Sequence, residues 1–255
     1  MSGKIYAEKR NDCDSALMIW NESLLTIKDA AVACLTRIDM AVCYLRTGNI
    51  KEAEISLLPI AGDAEVTKFN ERAKFLLGDI ALYNGSLTKS EMIFQGFTRQ
   101  YPQGEYTNDA LMRLGAITIL KEDSANIELI SGFSDAMKAQ TLGEYRKEAD
   151  LLLSDKIGKS PIAEIAQFYA AVALQNGEAD DRALTEYEKY IAMYQEGFYL
   201  DRAYLGIGDI LAKSKNTASK ARAAYNKILE LYSDGTVTEL ARERILKLDQ
   251  EEKIG

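Results

Sequence analysis

Apolar residues fall at Ala73, Leu76, Leu77, Ile80 and Ala81, the three-and-four spacing that draws one stripe along a helix, and Ile93, Phe94 and Phe97 resume it after Asn84-Gly85. The rest of the chain keeps this rhythm. It predicts helices over 4–10, 12–27, 30–47, 50–61, 69–84, 87–100, 107–121, 125–142, 144–157, 161–176, 180–195, 199–213, 218–232 and 236–250, mostly in pairs joined by tight turns. Ser160-Pro161 reads as an N-cap followed by proline at the first helical position, opening a helix that ends at Asn176-Gly177. No segment alternates in the way a half-buried strand requires.

The pattern also repeats at longer range. Tyr101-Pro102-Gln103-Gly104-Glu105-Tyr106 running to Ala110 aligns without a gap with Tyr194-Gln195-Glu196-Gly197-Phe198-Tyr199 running to Ala203, and with Tyr232-Ser233-Asp234-Gly235-Thr236-Val237 running to Ala241. The offsets are 93 and 38 residues. Leu77-Gly78-Asp79-Ile80 recurs as Ile207-Gly208-Asp209-Ile210, with Leu114-Gly115-Ala116-Ile117 between them. Taking the small residue as reference, Ala41, Gly78, Gly115, Ala170 and Gly208 are spaced by 37, 37, 55 and 38, so one interval has room for an additional helix. Glycine inside a helix costs about 1 kcal/mol relative to alanine, and close approach of a neighbouring helix is the compensation expected at this slot.

At this spacing the residues resemble the tetratricopeptide repeat, a helix–turn–helix unit of about 34 residues. Ala41, Tyr44, Gly48, Ala53 and Leu57 fill its slots in one copy; Gly78, Ala81, Gly85, Ser90, Phe94 and Pro102 do so in the next. Later copies keep Ala183, Tyr187 and Tyr190, then Ala221, Tyr225 and Ile228. The resemblance implies an all-α solenoid of stacked antiparallel helix pairs with a C-terminal capping helix. The implied divisions are a partial first repeat over 1–29, in which Ala16 and Trp20 occupy second-helix positions, an N-terminal array over 30–121, an irregular repeat with an extra helix over 122–160, and a C-terminal array with its cap over 161–255. The Tyr-Pro-x-Gly-x-Tyr joint resembles the variant found in bacterial envelope repeat proteins of the Tol-Pal coordinator and barrel-assembly lipoprotein type. That likeness implies a periplasmic or envelope-associated place if the chain is a fragment of a longer exported protein, and a cytoplasmic one otherwise.

Composition narrows the chemistry. With 255 residues, 47% of them apolar, the chain is long enough to bury a substantial core. No histidine is present, which removes the commonest general base and the commonest metal ligand. A net charge of −8 is the wrong sign for tracking nucleic acid or anionic lipid. The longest apolar run, Phe168–Leu174, is seven residues, against the roughly 20 that a membrane-spanning helix needs, so no membrane insertion is expected. Cys13, Cys34 and Cys43 lack CxxC spacing and are expected to be small buried residues outside any disulfide framework; on one helix Cys34 and Cys43 face opposite ways.

Several motifs fall short of a chemical site. Gly158-Lys159-Ser160 lacks the first glycine of a phosphate loop, where Leu153 stands. Gly206-Ile207-Gly208 lies in a predicted helix with Leu211 at the third glycine slot of a dinucleotide fingerprint, which favours helix contact. Asp12 and Asp14 are followed by Ala16, Leu17 and Met18 where a calcium loop needs oxygen ligands. No cofactor, metal site or catalytic residue is assigned.

The resemblance therefore implies a non-enzymatic scaffold that binds a protein or peptide partner along the concave face lined by the first helix of each pair. The expected partner-binding residues are Phe75, Asp79, Leu82 and Tyr83 on one such helix, Met112 and Ile119, with Ala116, on the next, and Arg202 and Asp209, with Leu205, on a later one. Relatives that clamp a C-terminal carboxylate use Lys and Asn at these slots, where this chain has Ile38, Val42, Phe75 and Asp79. A regulatory or targeting arm of a larger enzyme is the alternative.

Overall fold

The computed structural model describes residues 2–9, 12–62, 67–122, 126–232 and 235–254. Its helices, in chain order, are α1 (Ser2–Lys9), α2 (Cys13–Leu24), α3 (Ala30–Arg46), α4 (Ile50–Ala61), α5 (Thr67–Tyr83), α6 (Leu87–Gln100), α7 (Thr107–Glu122), α8 (Ile127–Thr141), α9 (Tyr145–Leu152), α10 (Asp155–Gly158), α11 (Ala163–Asn176), α12 (Asp180–Met193), α13 (Leu200–Leu211), α14 (Ala218–Leu231) and α15 (Thr236–Ile254). A 3-10 turn, Lys215–Thr217, leads into α14. Among the described residues there is no strand. The fold is all-α, built from antiparallel pairs of consecutive helices, and it divides into two compact units, one through Gly143 and one from Glu144 onward.

In the first unit α1 pairs with α2, α3 with α4 and α5 with α6, and each second helix also packs on the first helix of the following pair. The sequence dictates this arrangement. Ile38, Ala41 and Leu45 of α3, Ala53, Leu57 and Ile60 of α4, and Ala73, Leu76 and Ile80 of α5 lie on helical stripes that meet in one buried cluster. The α3–α4 and α5–α6 turns are closed by glycine in the left-handed region, Gly48 at φ 81° and Gly85 at φ 71°, and at the second Ser86 N–H returns to Ala81 O at 2.9 Å. At Gly78 an added Cβ would come within 2.7 Å of the Phe94 ring, so the glycine is what lets α6 approach α5. Gly208 plays the same part against Tyr225, and Gly206 against Tyr187, in the second unit, as helix contacts.

The second unit pairs α11 with α12 and α13 with α14, with α9 packed on α11 and α15 closing the stack against α13 and α14. Ala221, Tyr225, Ile228, Ala241 and Leu248 form its terminal core. The alanine that follows each joint, Ala110, Ala203 or Ala241, is fully buried.

Three expectations are corrected. The helix foreseen over 144–157 is two, because Ser154 is extended (φ −60°, ψ 147°) between α9 and α10. Ser160-Pro161 does not open a helix: the Ser160 hydroxyl donates to Ile157 O at 2.7 Å and accepts from Ile162 N–H at 3.3 Å, closing a turn, and α11 begins at Ala163. Cysteines 13, 34 and 43 are all buried as expected, but Cys13 and Cys43 form a disulfide, their Cα atoms 5.4 Å apart, and only Cys34 remains a thiol. The pairing was hidden because it joins α2 to α3, and that contact depends on how two hairpins stack. Ser233 and Asp234 of the third joint, and the ends of the helices foreseen at Arg10 and Ala125, lie outside the described residues.

Candidate functional site

Within the first unit, the expected binding positions converge on a polar cluster. Asp79 of α5 accepts from Arg113 Nε of α7 through Oδ1 at 3.0 Å and from Nη2 through Oδ2 at 3.4 Å. Both side chains are fully buried. The cause is α8, which lies along α5. Gln140 Oε1 accepts from Arg113 Nη2 at 2.6 Å, the Thr141 hydroxyl donates to Asp79 Oδ2 at 3.2 Å, and the Tyr83 hydroxyl donates to Met137 O at 3.1 Å. Burial and the Asp79 charge push the Tyr83 phenol well above its usual range. Burial acts against the Arg113 charge, but Asp79 and Asp109 more than offset it, and the guanidinium titrates above its ordinary value. Asp109 is raised by burial and by Asp79 against the pull of Arg113.

Phe75, Asp79, Leu82 and Met112, expected to line an open face, are interior residues of the first unit. Phe75 sits among Phe94, Phe97 and Tyr106, with the Arg113 guanidinium 5.1 Å from its ring centre. Tyr83 and Ile119 are half-buried. At Asp79, Leu82 and Tyr83 the reason for the difference is α8, an amphipathic helix whose seat no local pattern reveals, and at Phe75 it is the packing of α6 and the joint loop.

In the second unit the corresponding pair stands open. Asp209 of α13 accepts from Arg244 Nε of α15 at 2.9 Å and from the Tyr225 hydroxyl at 2.9 Å. The spacing of the pair is 35 residues, against 34 for Asp79 and Arg113. Arg244 and Asp209 keep 42% and 29% of their side-chain surface exposed, so here the same charged device meets solvent. Arg202 and Leu205, half-buried, lie on the same helix as Asp209.

Sequence reasoning missed both arginines, Arg113 and Arg244, because an arginine in a helix is ordinarily a solvated residue. It also missed Glu71 and Glu164. Glu71 Oε1 accepts from Tyr106 N–H at 2.9 Å, and Glu164 Oε1 accepts from Phe198 N–H at 2.8 Å and from the Tyr190 hydroxyl at 2.9 Å. Each glutamate holds down a joint loop, over which Phe75 stacks on Tyr106 and Phe168 on Tyr199. The 93-residue offset of the two joints carries Glu71 onto Glu164 and Phe75 onto Phe168, and that register was the signal available.

Among the described residues no group of three ligating side chains could hold a metal ion, and no helix is long and apolar enough to cross a membrane. No protein-family model matches the chain, and no curated protein matches it. Solved structures do. The chain is similar to MamA of AMB-1, at 16% identity over 83% of this chain and 97% of that one, with a TM-score of 0.37. It is similar to a tetratricopeptide repeat protein from Parabacteroides merdae ATCC 43184, at 16% identity over 97% and 95%, with a TM-score of 0.41. A third is the TPR2AB domain of yeast Sti1 in complex with pHSP90, at 15% identity over 97% and 95%, with a TM-score of 0.40. The fold assignment rests on the helix pairing described above.

Proposed function

We propose that this chain is a non-enzymatic scaffold that binds a protein or peptide partner along the first helices of its pairs. The observation that carries this reading is the Asp209–Arg244 pair, which stands half-exposed on α13 and α15 where its counterpart, Asp79–Arg113, lies beneath an amphipathic helix. A face whose counterpart already receives a helix is suited to receive one. The Tyr-Pro-x-Gly-x-Tyr joint supports a place in a bacterial envelope assembly. So does the Cys13–Cys43 disulfide, since such bonds persist in oxidising compartments.

A photo-cross-linking residue placed at Arg202 tests the function. It is expected to yield discrete partner adducts in the native cell, and the same residue at Glu188, on α12, is not. Equal adducts from both positions, or none from Arg202, would remove the assignment. Alkylation of thiols in cells quenched under denaturing conditions tests the compartment: one alkylated cysteine per chain is expected, and three would place the protein in a reducing environment.

A further inference from the structure

We propose that the α5–α7 face of the first unit is a receptor for an amphipathic helix supplied by a partner, and that α8 is its resident competitor, which the partner helix must displace. The inference rests on the scaffold reading and adds to it the kind of ligand and the means of control.

The way α8 is seated carries the argument. Leu129, Phe133 and Met137, spaced by four residues, are all buried, with Ala136 beside them and Gln140 following on the same stripe. This is the anchor pattern of a helix laid in a groove. The polar contacts sit at its C-terminal end, where Gln140 and Thr141 meet Arg113 and Asp79, and Leu142 continues onto the α3–α5 core. Gly143, at φ 72°, then ends the helix, its N–H donating to Gln140 O at 2.9 Å.

The receptor side does not need α8 for its own charge balance. Asp79 and Arg113 neutralise each other across α5 and α7, and Asp209 and Arg244 form the same pair half-exposed. Together the pair presents one outward donor, Nη2, beside one outward acceptor, Oδ2, which suits a side-chain amide or hydroxyl on the incoming helix. Nor does α8 use the site fully. Arg113 Nη1 is buried with no hydrogen-bond acceptor among the described residues, so α8 leaves one donor of the pair unmet. The partner expected is a helix with large apolar residues at i, i+4 and i+8 and an amide side chain three residues further on.

Occupancy in cis weakens binding in trans by the fraction of time that the groove stands open. The test uses the full chain and a fluorescent synthetic peptide of residues 126–142. The double variant Phe133→Asp, Met137→Asp loosens α8 while leaving α5 and α7 unchanged. It is expected to bind the peptide at least about tenfold more tightly than the unaltered chain, and a peptide carrying the same two changes is expected not to bind. A folded variant that ignores the peptide, or equal affinity for both chains, overturns the proposal. Should the variant fail to fold, hydrogen exchange on the unaltered chain decides: α8 amides exchanging ahead of those of α5 and α7 supports displacement, and exchange in the same slow class overturns it. Because the probe is the chain's own segment, failure here leaves the Arg202 cross-linking test of the scaffold reading untouched.

Discussion

At the scale of single residues, glycines and tyrosines hold the helices at their spacing. Gly78 and Gly208 sit where any Cβ would run into an aromatic ring of the paired helix, whereas Gly96, also helical, has open space around it. Gly78→Ala is therefore expected to destabilise the first unit by about 1–2 kcal/mol, overpacking outweighing the gain in helix propensity, while Gly96→Ala stabilises it by up to about 1 kcal/mol. Denaturant midpoints measured on both variants give the opposite signs directly. The same crowding sets a pH limit. Burial, first, and neighbouring carboxylates push the phenols of Tyr83, Tyr187 and Tyr225 above their usual value of 10.0, and Tyr190 follows with Glu164 beside it. Above pH 10 the unfolded chain releases these protons before the folded one does, so the unfolded state binds fewer protons and stability falls as pH rises. An alkaline titration followed by phenolate absorbance is expected to show late-ionising tyrosines that appear together with loss of helix.

At the scale of elements, the stripes, turn glycines and joints were legible because each is written in a few adjacent residues. Helix pairs over 30–61 and 67–100 are where the periodicity put them, within two residues at each end. What failed were features set by a neighbour. The break between α9 and α10 and the start of α11 depend on Ser154 and Ser160 forming turns rather than continuing helix. The Cys13–Cys43 link belongs to the same class. It closes a separation of 30 residues and ties α2 to α3, which in the chain-entropy account is worth about 3–4 kcal/mol. Reduction is expected to speed hydrogen exchange in α1 and α2 by a large factor and to leave α13 to α15 unchanged; uniform acceleration across the chain would mean the link is not local.

At the scale of the whole molecule, stability should be distributed. Each compact unit buries its own clusters, those of α1–α3 and α3–α5 in the first and of α13–α15 in the second. Repeat arrays of this kind gain stability from nearest-neighbour interfaces, so their cooperativity follows the stack rather than the full length. Denaturant unfolding is expected to depart from a single two-state transition, with probes in α5 and in α13 reporting different midpoints. Coincident midpoints would show that the units unfold as one.

The amino-acid order alone determined the helices, their pairing and the small residues between them, because those follow from contacts within about 40 residues that recur with a fixed period. It also marked Asp79 and Asp209 as equivalent. Only the tertiary structure decided that one of these aspartates is buried under α8 and the other meets solvent. Period and stripe say which face of a helix is apolar, but not which of several apolar faces it will cover.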